Sequence, residues 1–133
     1  DFTTRLVSEA DVDLVVQHGP HVVQPLELVG GTWVFWSVGN LVSAMGEPGD
    51  PRYGPSALDG LLAWVRFTES ASTPGRFDVE PIPVIVCAEI GSRHVYPGVA
   101  ALADPAGPPI GSGLRTQLEA CVARTQSLVP TAI

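Results

Sequence analysis

Lysine is absent from this chain of 133 residues, and charged residues of every kind are scarce. They make up 16% of the sequence, against about 25% in a typical globular domain. The seven basic residues are all arginine and lie scattered along the chain, while fourteen acidic residues give a net charge of −7. Because no basic stripe is present to neutralise phosphates, the sequence argues against nucleic acid and anionic membranes as partners. The preference for arginine over lysine also indicates a high-GC bacterium.

The motifs of several enzyme and cofactor classes are missing as well. No GxSxG nucleophile motif occurs, and Gly30-Gly31 precedes a strand-like segment, which is the wrong context for a dinucleotide fingerprint. The two cysteines, Cys87 and Cys121, match no zinc-site spacing. We therefore expect neither a metal nor a cofactor.

The compartment is judged from the cysteines and from the hydrophobic segments. The longest uncharged window, residues 28–46, is interrupted by glycine, serine, threonine and asparagine, so it does not predict a transmembrane helix. Cys87 lies in an apolar run, which favours two buried free thiols in a cytoplasmic protein. A Cys87–Cys121 bridge in an exported protein is the alternative. The first residue is Asp1, not Met, so removal of a signal peptide is left open.

The patterning predicts a single α+β domain over residues 1–133, a mostly antiparallel sheet covered by N-terminal, middle and C-terminal helices. Ser8 to His18 follows helix grammar, and Gly19 and Pro20 would end that helix. Gly30-Gly31 predicts a hairpin. Further strands are expected near residues 77–90 and 93–97, a C-terminal helix at 114–129, and loops rich in Gly and Pro at 46–55, 69–76 and 103–113.

The segment from Ser56 to Phe67 has two interpretations. Ser56 would cap a helix whose apolar face carries leucines and Val65, so a helix is favoured. Residues 62–68 also alternate between apolar and polar side chains, as a strand would. Residues 61–68 are therefore left open between the two.

Two of the three histidines, His18 and His21, form an HxxH pattern. The metalloprotease pattern places both histidines on one continuous helix, whereas Gly19 and Pro20 would break a helix here. His18 would instead lie in the last helical turn, where a cation interacts well with the helix dipole. The interpretation favoured from the sequence is structural.

The stronger candidate for acid–base chemistry is Glu89 with His94, on either side of the turn at Gly91-Ser92. A carboxylate in a buried strand would have a raised pKa, which suits a general acid or base, and His94 would lie across the hairpin. The interpretation favoured from the sequence is nevertheless structural: a solvated strand end in which Glu89 pairs with Arg93. A nucleophilic Cys87 is disfavoured because nothing electropositive lies near it in the sequence.

All three tryptophans lie in strand-like or ambiguous segments, and with Phe35 they form the candidate partner- or ligand-binding set. A tryptophan is seldom left bare on a monomer and is common in interface hot spots. Trp33 and Trp36 are expected on opposite faces of one strand, so both faces would be covered. The set comprises Trp33, Phe35, Trp36 and Trp64.

Two functions fit these features. The favoured one is a non-enzymatic interaction or assembly module, chaperone-like or structural, which binds itself as a homo-oligomer or binds another protein. The alternative is a small cavity enzyme of the isomerase or cyclase type, with Glu89 and His94 as its acid–base pair and a small apolar ligand in a hydrophobic pocket.

Overall fold

The computed structural model of the chain describes residues 2–46, 52–105 and 110–133. Over these residues it has three α-helices, one short 3-10 helix and two mostly antiparallel sheets, which confirms the predicted α+β class. The predicted loops at 46–55 and 103–113 lie partly outside the described residues. The elements are α1 (Phe2–Glu9), β1 (Leu14–Val16), β2 (Leu26–Val29), β3 (Thr32–Phe35), the 3-10 helix Pro55–Leu58, β4 (Asp59–Glu69), β5 (Phe77–Ala88), β6 (Val95–Pro97), α2 (Gly98–Ala103) and α3 (Ser112–Leu128).

The first sheet has the strand order β1-β3-β2. β2 and β3 form the predicted hairpin, and both of its turn residues, Gly30 and Gly31, have positive φ angles of 57° and 91°. Only glycine adopts such angles readily, which is why this dipeptide closes a two-residue turn. β1 pairs in parallel with β3, so this sheet is mixed.

The predicted helix from Ser8 to His18 is wrong. α1 ends at Glu9, and Leu14 to Val16 form the strand β1 beside β3. Two consecutive β-branched residues, Val15 and Val16, favour an extended backbone, and pairing with β3 buries Val15 in the core. His18 is consequently not in a helical turn.

The second sheet has the order β4-β5-β6, and β4 and β5 are paired over eleven residues without interruption. The helix favoured for Ser56 to Phe67 is therefore wrong, and the strand interpretation of residues 61–68 is right. Only Pro55–Leu58 is helical, as a 3-10 turn. Eleven strand pairs outweigh the weak local preference for helix in this segment.

The two sheets meet where residues 38–40 cross the start of β4. The amide of Leu61 donates to the carbonyl of Val38 at 2.8 Å, and Gly39 forms a bridge with Gly60. A Cβ atom on Gly39 would lie 2.5 Å from the Asp59 carbonyl oxygen, and one on Gly60 would lie 2.3 Å from the Asn40 carbonyl oxygen. Both positions therefore require glycine for the backbones to approach this closely.

The predicted C-terminal helix, α3, packs against β5 and is joined to it covalently. Cys87 of β5 and Cys121 of α3 form a disulfide, so the favoured interpretation of two free thiols is wrong. Both cysteines lie in the main core, together with Leu118 of α3 and Ile85 of β5. Of the helices in the described segments, α3 is the longest with 17 residues, and none is long and apolar enough to cross a membrane.

A buried ion pair also connects α3 to the second sheet. Arg124 donates two hydrogen bonds to the carboxylate of Asp59, at 2.7 and 2.8 Å. The Asp59 side chain is 4% exposed, and the Arg124 side chain is 35% exposed. Burial raises the pKa of the Asp59 carboxyl, and the hydrogen bond and charge of Arg124 oppose that rise. The carboxylate thus depends on this arginine to remain ionised.

Replacing Arg124 with alanine should destabilise the fold by about 3 kcal/mol at neutral pH, because a buried carboxylate loses its partner. Without Arg124 the pKa of folded Asp59 rises further above the ordinary value of 3.8. Between pH 3.8, where the unfolded carboxyl titrates, and the raised pKa of the folded state, the folded variant binds more protons than the unfolded one. The stability of the variant therefore falls as the pH rises through this interval. The deficit should therefore shrink in urea titrations near pH 4.

Arg115→Ala is the matched control on the same helix. Its exposed ion pair with Glu119 spans 3.9 Å, so the loss should stay under about 1 kcal/mol at either pH. Equal losses of unfolding free energy for the two variants would contradict the assignment of Arg124 and Asp59 as a stabilising buried ion pair. An R124A loss that does not change with pH would contradict it as well.

Candidate functional site

The structure brings Glu89 and His94 together, as the sequence predicts. His94 Nδ1 lies 3.6 Å from Glu89 Oε2, and the amide of Glu89 donates to the His94 carbonyl at 2.7 Å. The same carboxylate accepts hydrogen bonds from the hydroxyls of Ser92 and Tyr96. Partial burial and the negative charge of Glu89 raise the pKa of the Tyr96 hydroxyl.

This cluster lies on an open turn. The His94 side chain is 74% exposed, and Glu89 keeps 26% of its side-chain surface. The small clefts and grooves described below are lined by neither residue. An exposed histidine can exchange protons with water, but an enzyme of the isomerase type needs a dry pocket around its acid–base pair.

The structure does not gather the four predicted aromatic residues into one site. Phe35 is buried in the core at 1% exposure. Trp33 lines an open cleft of about 490 Å³ beside Asp11 and Arg76. Trp36 donates its indole N–H to Glu27 at 2.6 Å and lines a separate open groove, and Trp64 is 67% exposed on β4.

A set of polar contacts surrounds the residues between β1 and Val23, which forms an isolated bridge with Val38. We call residues 18–21 the histidine loop. The ring centroids of His18 and His21 are 5.5 Å apart in an edge-to-face arrangement. His21 has a positive φ of 61°, a conformation that costs energy for a residue other than glycine.

The side chain of Asn40 holds this loop through hydrogen bonds. Its amide nitrogen donates to the carbonyls of His21 and Ala57, both at 2.9 Å, and its oxygen lies 2.9 Å from His21 Nδ1. Asn40 is only 9% exposed, so these bonds replace contacts with water. One buried amide therefore holds the histidine loop, the segment 38–40 and the 3-10 helix together.

The same geometry determines where His21 carries its proton. Carbonyl oxygens only accept hydrogen bonds, so the NH2 group of Asn40 must face His21 O and Ala57 O. The Asn40 oxygen then faces Nδ1 of His21, which must be the donor. Neutral His21 is thus protonated on Nδ1, and Nε2 carries the lone pair with which an imidazole binds a metal.

Two imidazoles alone do not make a complete metal site. Among residues 2–46, 52–105 and 110–133, no three His, Cys, Asp or Glu side chains are grouped closely enough to hold an ion. The HxxH spacing that the sequence assigns a structural role does bring the rings near each other, through a loop and not along a helix. Asn40, 19 residues from His21, was missed because no sequence pattern connects the two.

Comparison with known proteins gives two matches and one negative result. Residues 1–45 match the family described as Bacterial capsule synthesis protein PGA_cap, which is about a third of the chain. The chain is also similar to the PGA biosynthesis protein CapA of Bacillus subtilis (strain 168), at 38% identity over 80 residues. Those residues are 60% of this chain but 19% of that protein, so the chain spans about a fifth of the curated relative. No solved structure matches.

Replacing Asn40 with alanine should destabilise the protein by about 2–3 kcal/mol, because two buried carbonyls lose their donor. The isosteric Asn40→Asp variant should lose more, since a carboxylate would face the same two carbonyl oxygens. Urea unfolding of both variants measures these losses. A loss under about 0.5 kcal/mol for both would show that Asn40 does not hold the loop.

Proposed function

We propose that this chain is a module of a larger bacterial capsule synthesis protein. We further propose that its histidine loop provides two imidazole ligands to a metal site completed by ligands from the rest of that larger protein. The observation behind this proposal is that the histidine loop lies within the part of the chain that matches the capsule synthesis family. The 45 residues that match the capsule synthesis family contain His18, His21 and Asn40.

The loop geometry supports metal ligation. Histidines that bind metals commonly donate their second ring N–H to an oxygen acceptor, which fixes the tautomer and the ring orientation. His21 makes such a bond to Asn40. Two imidazoles on one tetrahedral Zn²⁺ have ring centroids about 5 Å apart, from metal–nitrogen bonds of about 2 Å. The 5.5 Å between the ring centroids of His18 and His21 is close to that separation, and it is also the ordinary spacing of an edge-to-face ring pair.

The incomplete set of metal ligands supports the proposal that this chain works as a module of a larger protein. A catalytic zinc site uses about three protein ligands, and this loop offers two. A chain that spans about a fifth of its curated relative leaves ample sequence in such a protein for further ligands. The predicted assembly function is kept here in a narrower form: the module binds other parts of a capsule synthesis protein.

The disulfide supports a location outside the reducing cytoplasm. Stable disulfides are typical of exported and periplasmic proteins and are rare in cytosolic ones. We therefore propose an oxidising compartment for the module, in place of the cytoplasmic location favoured from the sequence. The Cys87–Cys121 bond is the observation behind this choice.

Titration of the 15N-labelled chain with Zn²⁺ tests the ligand assignment. The imidazole signals of His18 and His21 should shift together at a metal concentration that leaves His94 unchanged, and His21→Asn should weaken binding about tenfold or more. His94, the third histidine, is the internal control. Equal response of all three histidines would mean adventitious binding and would contradict the proposal.

Capsule yield in the bacterium that encodes the chain tests the functional part. His21→Asn should lower the amount of capsular polymer, whereas His94→Asn should leave it unchanged. The opposite result, loss with His94→Asn alone, would favour the small-enzyme alternative with Glu89 and His94. Normal capsule in both variants would contradict both functions.

A further inference from the structure

The long strand β4 has an open outer edge along its second half. The amide of Leu61 points away from β5, because it donates to Val38. Alternate residues of a strand direct their backbone groups to the same side, so Ala63, Val65 and Phe67 present N–H and C=O groups to this edge as well. Within the described segments, none of these three residues has a strand partner on that side.

Several of the devices that usually prevent strands from pairing with other chains are missing from this edge, which does carry the charged residues Arg66 and Glu69. β4 contains no proline and no lysine, and its register with β5 has no bulge over eleven pairs. Large apolar side chains flank the edge: Trp64 is 67% exposed, Phe67 is 50% exposed and Leu62 is 46% exposed. By contrast, Pro81 interrupts the opposite edge on β5, and Ile133 pairs with that edge at Pro83 and Ile85.

We propose that this edge binds a second copy of the chain, with the two β4 strands antiparallel about a two-fold axis at Val65. In this register Ala63 of one copy lies opposite Phe67 of the other, and Val65 lies opposite its own equivalent. All three residues have their backbone groups directed outward, so every outward N–H from residue 63 to residue 67 gains a carbonyl acceptor. The result is one continuous six-stranded sheet.

Charge and side-chain chemistry select this register. Centred on Val65, the pairing places Trp64 of each copy opposite Arg66 of the other, where a guanidinium can stack on an indole ring. An ion pair with Glu80, at 2.7 Å, holds that guanidinium on the Trp64 face of the sheet. Centring on Arg66 would place two arginines opposite each other, which is repulsive.

The neighbouring register is also disfavoured. Centring on Trp64 would require the Leu61 amide, which is already bonded to Val38. The proposed contact therefore uses the free residues and avoids like charges. It is independent of the histidine loop, so its failure would leave the proposed function untouched.

Sedimentation velocity over a range of concentrations tests the dimer. The unmodified chain should show a monomer–dimer equilibrium, and Val65→Pro should weaken it about tenfold or more, because proline removes the central outward N–H and costs over about 1.4 kcal/mol. Val65→Thr, which keeps the amide and the β-branch, should dimerise normally. A strict monomer, or a dimer unaffected by Val65→Pro in a protein that still unfolds cooperatively, would overturn the proposal.

Cysteine cross-linking tests the register without a proline. Val65→Cys should form a disulfide-linked dimer under mild oxidation, since opposed strand residues have Cα atoms about 5.5 Å apart, within disulfide range. Ala63→Cys alone should not, because its two copies would lie about 13 Å apart along the strands. Mixing Ala63→Cys with Phe67→Cys should restore cross-linking. Failure of Val65→Cys, or efficient self-linking of Ala63→Cys, would contradict this register.

Discussion

The buried amide of Asn40 is the interaction on which the two halves of the molecule depend. It lies after β3, in the segment 38–40 where Gly39 and Gly60 let the backbones cross, and it bonds to the histidine loop and to the 3-10 helix before β4. Both its nitrogen and its oxygen have hydrogen-bond partners within the protein. The positive φ of His21 is stable only because this surrounding structure fixes it.

The elements that the sequence predicted correctly are those determined by local chemistry. Gly30-Gly31 makes a hairpin because of its backbone freedom, and β5 and α3 have clear periods of two and 3.6 residues. The segments that failed, 8–18 and 56–67, follow the sequence pattern of a helix, but residues 14–16 and 59–67 are extended because they pair with other strands. Such pairing leaves little trace within a short window of sequence.

The candidate sites likewise divide into features determined by nearby residues and features determined by the whole fold. Glu89 and His94 were placed together correctly because one short turn separates them, whereas their exposure depends on the whole fold. Asn40 could not be linked to His21 from sequence, and neither could Cys87 to Cys121. Nor does composition reveal which tryptophans stay exposed: Trp64 does, while Trp33 and Trp36 are half-buried.

The central claim is that Asn40 holds His21 in one tautomer with Nε2 free. Nitrogen-15 NMR of the neutral imidazole rings tests this claim directly, since protonated and unprotonated ring nitrogens have distinct chemical shifts. We predict that His21 carries its proton on Nδ1 and that Asn40→Ala abolishes this preference. A proton on Nε2 of His21 in the unmodified protein would contradict the account.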